Sequence, residues 1–124
     1  MYRIFARSQK MESVPLMKKN ANLYDPSSAS LSEEVTETLY VDEWVRIERI
    51  ISTGQASPEG FWYDQKENEW VCVLEGQGAI QWEDGSTKVL DRGEWVLIPA
   101  HVRHRVLSTS ATPPCIWLAF FWRR

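Results

Sequence analysis

Few residues in this chain of 124 could do chemistry. The two histidines, His101 and His104, fall in the run "PAHVRH"; a neutral imidazole can ligate a metal, and either form can hold a hydrogen bond. Cys72 and Cys115 sit inside apolar, strand-like runs with no CxxC spacing. That pattern suits buried thiols in a reducing compartment rather than a disulfide framework or a nucleophile. The carboxylate pairs Glu33–Glu34 and Glu67–Glu69 read as solvated loops, not as acid/base dyads. The stretch "GFWYDQKENEW" is more suggestive. Trp62 and Tyr63 offer rings to stack on, and Asp64 and Gln65 offer polar tips, the makings of a platform for a carbohydrate or planar ligand. No Gly-rich loop follows a strand and opens a helix, so nothing supports a nucleotide-binding fold.

The elements that must position these groups are strands. A chain of this length is one domain. Lys plus Arg is 14 against 17 Asp plus Glu, a net charge of −3, with no basic stripe for nucleic acid. The longest apolar run, Cys115 to Trp122, is far short of the roughly 20 residues needed to span a bilayer. The N-terminus lacks the apolar core of a secretion signal, and a cytoplasmic, soluble protein is expected. Residues 1–16 read as a flexible tail. Residues 17–39 form an N-terminal segment in which Ser30-Leu-Ser-Glu33 has capping-box spacing and predicts a short helical turn. Residues 40–124 read as a β-barrel. "VDEWVRIERIIS" (41–52) alternates as one strand, with Trp44, Arg46, Glu48 and Ile50 sharing a side. "EWVCVLEG" is a second, with Val71 and Val73 on the face of Glu69, and Trp70 and Cys72 on the other. "AIQWEDGSTKVL" is a hairpin turning at Asp84-Gly85. "GEWVLIP", "HRVLS" and "CIWLAFFW" complete an antiparallel sandwich or barrel. The last strand is apolar on both faces, so its outer side needs cover from the N-terminal segment or a second subunit. Most of the seven tryptophans are expected in the core or an interface.

These strands carry a family resemblance: the chain resembles a small single-domain cupin. The family's first motif, G-x5-H-x-H-x3 or 4-E-x6-G, ends here as Glu69 and Gly76 in "EWVCVLEGQG". Its second, G-x5-P-x-G-x2-H-x3-N, appears as Gly93, Pro99 and His104. The resemblance spans roughly residues 40–122. It implies a double-stranded β-helix, or jelly roll, that is all-β, usually dimeric, and has a pocket inside the barrel. The departures concern the metal ligands. Counting back from Glu69, the first-motif histidines fall on Tyr63 and Gln65, or with the longer spacer on Trp62 and Asp64; neither register supplies a histidine. The second-motif glycine is His101 and the terminal asparagine is Ser108.

Of the three-histidine, one-glutamate site that the resemblance implies, Glu69 and His104 remain. A divalent metal held by protein needs at least a third donor, for which Asp64, Gln65 and His101 are the candidates. Such a mixed set would suit Zn, Fe or Mn and bind more weakly than three imidazoles. His101 has a conformational alternative, since histidine tolerates the positive φ that glycine supplies at that turn. The expected function is a barrel that takes up a small polar metabolite, with a degenerate divalent-metal site and isomerase, oxygenase or lyase chemistry. The alternative is a metal-free cupin that binds a sugar or aromatic acid, with Trp62, Tyr63 and Gln65 lining the pocket. A homodimer is expected, with neither nucleic acid nor membrane as partner.

Overall fold

The structure, a computed structural model, describes residues 19–123. The expected tail over residues 1–16 lies outside the described residues. Eight strands follow in sequence: β1 (Val35–Val41), β2 (Val45–Ser52), β3 (Asn68–Glu75), β4 (Gly78–Trp82), β5 (Thr87–Leu90), β6 (Trp95–Ile98), β7 (His104–Thr109) and β8 (Cys115–Trp122). A five-stranded sheet in the order β1-β2-β8-β3-β6 faces a three-stranded sheet in the order β5-β4-β7. All strand pairs are antiparallel. This is the all-β jelly roll expected from the sequence.

Two details of the N-terminal half depart from expectation. Residues 41–52 do not form one strand. Asp42 breaks them: its carboxylate accepts the backbone N–H groups of Trp44 at 2.7 Å and Val45 at 2.9 Å, an Asx turn that folds β1 back onto β2. The barrel therefore begins at Val35, ahead of residue 40. Ser30–Glu33 makes bends rather than a helical turn. The Ser30 hydroxyl accepts from the Ser32 N–H at 3.3 Å, and Leu31 is 93% exposed, so the turn has no apolar face to bury and nothing to offset the cost of nucleating a helix.

Alternation in the strands builds the core. Val71 and Val73 of β3, Ile50 of β2, and Trp117 and Phe121 of β8 point inward from the larger sheet, and meet Ile80, Leu90 and Val106 from the smaller one. Gly78 lies directly against Trp117: a Cβ on Gly78 would overlap the indole ring, and the indole N–H donates to the Ser52 hydroxyl at 3.2 Å. Gly76 closes β3 at φ 76°, and any side chain there would meet the Pro114 carbonyl.

The outer face of the larger sheet is apolar as well. Leu97, Trp70, Phe120 and Ile47 pair successively across β6, β3, β8 and β2. Trp70 makes ring contacts with both Trp95 and Phe120. The segment before β1 covers one end of this face, where the Arg49 guanidinium donates to the carbonyls of Leu23 at 2.8 Å and Asp25 at 2.6 Å. The other end is open, with Trp95 56% and Leu97 50% exposed.

Candidate functional site

The site residues come from one strand of each sheet and from the loop between β2 and β3. Glu69 is the inward residue next to the start of β3, and its register partner on the edge strand is Ile98. His104 opens β7. The loop runs alongside: Tyr63 N–H donates to the His104 carbonyl at 2.7 Å, His104 N–H returns to the Tyr63 carbonyl at 3.2 Å, and His101 N–H donates to the Gln65 carbonyl at 2.7 Å. This short bridge imposes strand-like alternation on 62–65. Tyr63 is buried, Gln65 is half-buried and reaches Glu69, and Asp64 between them is exposed.

The result is a sealed polar cluster. Glu69 and His104 are both fully buried, with Nε2 of the imidazole 3.4 Å from Oε1 of the carboxylate. The Gln65 amide N–H donates to the same Oε1 at 3.0 Å. Tyr63 lies with its ring centroid 5.5 Å from that of His104, and Phe61 packs edge-on against Tyr63 at 4.7 Å. His104 Nδ1 lies 2.9 Å from the Val102 carbonyl, which can only accept, so Nδ1 carries a hydrogen. Nε2 then faces Glu69 Oε1 either as a bare lone pair or across a shared proton, and only the second is attractive. Burial alone would pull the His104 pKa down, but the facing oxygen and negative charge of Glu69, together with the Val102 carbonyl, raise it on balance. At 3.4 Å the contact is an ion pair rather than a formed hydrogen bond: His104 Nε2 and Glu69 Oε2 are both buried and make no hydrogen bond.

The other candidates lie elsewhere. Asp64 and His101 pair with each other, Oδ1 to Nδ1 at 2.7 Å, with side chains 48% and 65% exposed. His101 has φ 67°, the conformation that glycine usually supplies there. Trp62 turns away from the buried pair toward the Arg105 guanidinium, 5.9 Å from the ring centroid. Among the described residues no three of His, Cys, Asp and Glu come together to hold a metal.

One neighbouring cluster is absent from the sequence reading. Arg46, Phe121 and Glu69 are register partners across β2, β8 and β3. The Arg46 guanidinium lies 4.1 Å over the Phe121 ring, donates to Glu48 at 2.8 Å, and grips Glu67 through both terminal nitrogens at 2.5 and 3.1 Å. The signal was available: Arg46 and Glu48 share the parity of Ile50, a core residue, so two charges on an inward face required partners.

The comparisons with known proteins agree with this fold. The cupin-domain family model matches residues 49–121. The chain belongs to the cupin family. A comparison with curated proteins finds no significant match. Among solved structures, this cupin is 40% identical to a candidate mannose-6-phosphate isomerase of Ralstonia eutropha JMP134, with a TM-score of 0.81 over 86% of this chain and all of that one. A cupin superfamily protein of Desulfitobacterium hafniense DCB-2 shares 14% identity at a TM-score of 0.70, covering 88% and 95% of the two chains. An RmlC-like cupin of Desulfovibrio desulfuricans shares 19% at 0.68, covering 85% and 96%. The last two similarities bear on the fold alone.

Proposed function

We propose that this cupin binds a small polar metabolite without a resident metal, at the barrel end formed by Tyr63, Gln65, Glu69 and His104. The observation that carries the reading is the buried Glu69–His104 pair. A carboxylate and an imidazole taken out of water are costly unless fully partnered, and here one carboxylate oxygen is left over. Such a group buried at the end of an apolar barrel suits recognition of a ligand better than stability. The name carried by the Ralstonia relative supports a sugar-type metabolite.

Cupins often hold a divalent metal, and the residues here do not fit one. The two positions that would complete the ligand set carry Tyr63 and Gln65. The Gln65 amide is already bonded to Glu69 through its nitrogen, while Asp64 and His101 are committed to each other at the surface. One carboxylate and one imidazole fall short of the three protein donors that catalytic sites use. The free thiols of Cys72 and Cys115, both buried, support a reducing, cytoplasmic setting. The open end of the outer sheet face supports a homodimer.

A nuclear magnetic resonance fragment screen in the presence of chelator tests the reading. Shifts concentrated on Tyr63, Gln65 and His104 are expected. A screen with no shifts at those residues, or calorimetry showing a divalent ion bound tighter than roughly micromolar, about −8 kcal/mol, would overturn it.

A further inference from the structure

The way donors and acceptors are committed around Glu69 determines what kind of molecule this site can accept. On the donor side nothing charged is spare among the described residues of this barrel end. His104 gives Nδ1–H to the Val102 carbonyl and turns Nε2 to Glu69. The Gln65 amide is taken by Glu69. The cation in the same row, Arg46, stands about two strand spacings from Glu69, roughly 10 Å, and its charge is matched by Glu48 and Glu67 together. Arg105, next along β7, turns to the opposite face, where it bonds the Gln81 side chain and the Ser57 carbonyl. Lys66 and Lys88 are exposed. On the acceptor side the balance is reversed: Glu69 Oε2 is buried with no donor, and the three carboxylates Glu48, Glu67 and Glu69 still outnumber Arg46 and His104 together within this end of the barrel.

We infer that the ligand of this site presents an O–H or N–H donor to Glu69 Oε2 and carries no anionic group. This deepens the reading proposed above and rests on it. A phosphate or carboxylate placed at Glu69 Oε2 would meet a carboxylate oxygen turned away from the proton that Oε1 shares with His104, and no uncommitted cation, in a setting where water cannot screen the repulsion. A hydroxyl or ammonium group instead completes the hydrogen bonding of a buried charge, the kind of contact whose loss discriminates most strongly between ligands. A free sugar and a small amine both meet the requirement; a sugar phosphate or an aromatic acid does not.

The test is a set of titrations of the full chain, followed by two-dimensional nuclear magnetic resonance at the Gln65 side-chain amide and the His104 ring, with matched probes. D-mannose and butylamine carry donors and no anion; D-mannose 6-phosphate and butyrate are their anionic counterparts. At least one of the first pair is expected to shift both signals with about tenfold or greater advantage over its counterpart, and to lose about tenfold in Glu69→Gln. Mannose against butylamine distinguishes a polyol from an amine as the source of the donor. Shifts from mannose 6-phosphate or butyrate that equal or exceed those of their counterparts overturn the inference and leave the binding function intact. Silence of both donor probes overturns it too, and an empty fragment screen would extend the failure to the function. If Glu69→Gln does not fold, the comparison of each probe with its counterpart on the unaltered protein decides alone.

Discussion

Replacing Glu69 by glutamine keeps the shape of the side chain and removes its charge, which isolates what the carboxylate does to His104. The carbonyl of the introduced amide can still accept from the Gln65 amide, so that bond survives; the charge-assisted contact to Nε2 does not. A formed hydrogen bond to a charged group is worth about 1.5–3 kcal/mol; at 3.4 Å, with Nε2 making no hydrogen bond, the loss should lie near the lower end. The larger consequence is for the proton. In the wild type, His104 is raised above its usual value near 6.5 because Glu69 and the Val102 carbonyl outweigh burial. In Glu69→Gln, burial prevails, and the midpoint falls below 6.5.

The two proteins should therefore diverge with pH. A raised folded-state pKa contributes stability that is fully present below pH 6.5 and is lost as pH rises through the folded midpoint. A lowered one loses stability as pH falls below 6.5. Groups common to both proteins cancel in the difference, so the destabilisation by Glu69→Gln is largest in mild acid. It shrinks with rising pH, by up to about 1.4 kcal/mol for each pH unit between the two His104 midpoints. The chain has only two histidines, so ring-proton spectra are simple, and the signals that remain in His101→Gln are those of His104. A wild-type His104 midpoint below 6.5, or one unchanged in Glu69→Gln, would refute the shared proton and the reasoning built on it.

Further outcomes follow from the fold. Val71→Ala removes two methyl groups from a fully buried site; at about 0.8 kcal/mol each plus a cavity penalty, the cost should be about 2–3 kcal/mol in urea denaturation, and an unchanged midpoint would mean that the register through Glu69 is wrong. Gly78→Ala forces a methyl into the Trp117 ring and should destabilise by about 1–3 kcal/mol or more, with the near-ultraviolet circular dichroism of the buried indole altered. Trp95→Glu puts a charge on the open end of the outer sheet face. It should turn a dimer into a monomer by light scattering while leaving the far-ultraviolet spectrum intact; a dimer that survives would place the interface elsewhere.

What the sequence discloses depends on whether a residue sits in a regular strand. "EWVCVLEGQG" reads correctly because period-2 alternation from Glu69 puts Val71 and Val73 inside, and the structure buries both completely. The glycines that close the phrase have physical causes, one a positive φ and the other contact with an indole ring. β1 escapes a sequence reading because "VTETLYV" is weakly apolar and draws its order from pairing with β2 and from the ion pair between Glu37 and Arg49 at 2.7 Å. The helical turn at Ser30–Glu33 fails for the opposite reason: a local capping pattern has no tertiary contact to sustain it.

The candidate ligands divide along the same line. Glu69 and His104 stand where strand and motif together place them, facing each other. Asp64 and His101 lie in loops, where sequence spacing fixes no direction. Their fate is decided by the bridge between Tyr63 and His104, a contact between distant parts of the chain that nothing local encodes. That bridge turns the odd-numbered residues Tyr63 and Gln65 toward the buried pair and the even-numbered Trp62 and Asp64 away from it. At Tyr63 and Gln65, one of the two registers in which the cupin motif would set its histidines, the loop thus carries a phenol ring and an amide. An imidazole there would offer a lone pair to a cation, whereas the amide of Gln65 offers a hydrogen to Glu69. With the amide donating to Oε1, the other carboxylate oxygen is left buried without a hydrogen-bond partner, and that is the atom to which the proposed ligand would bring its donor.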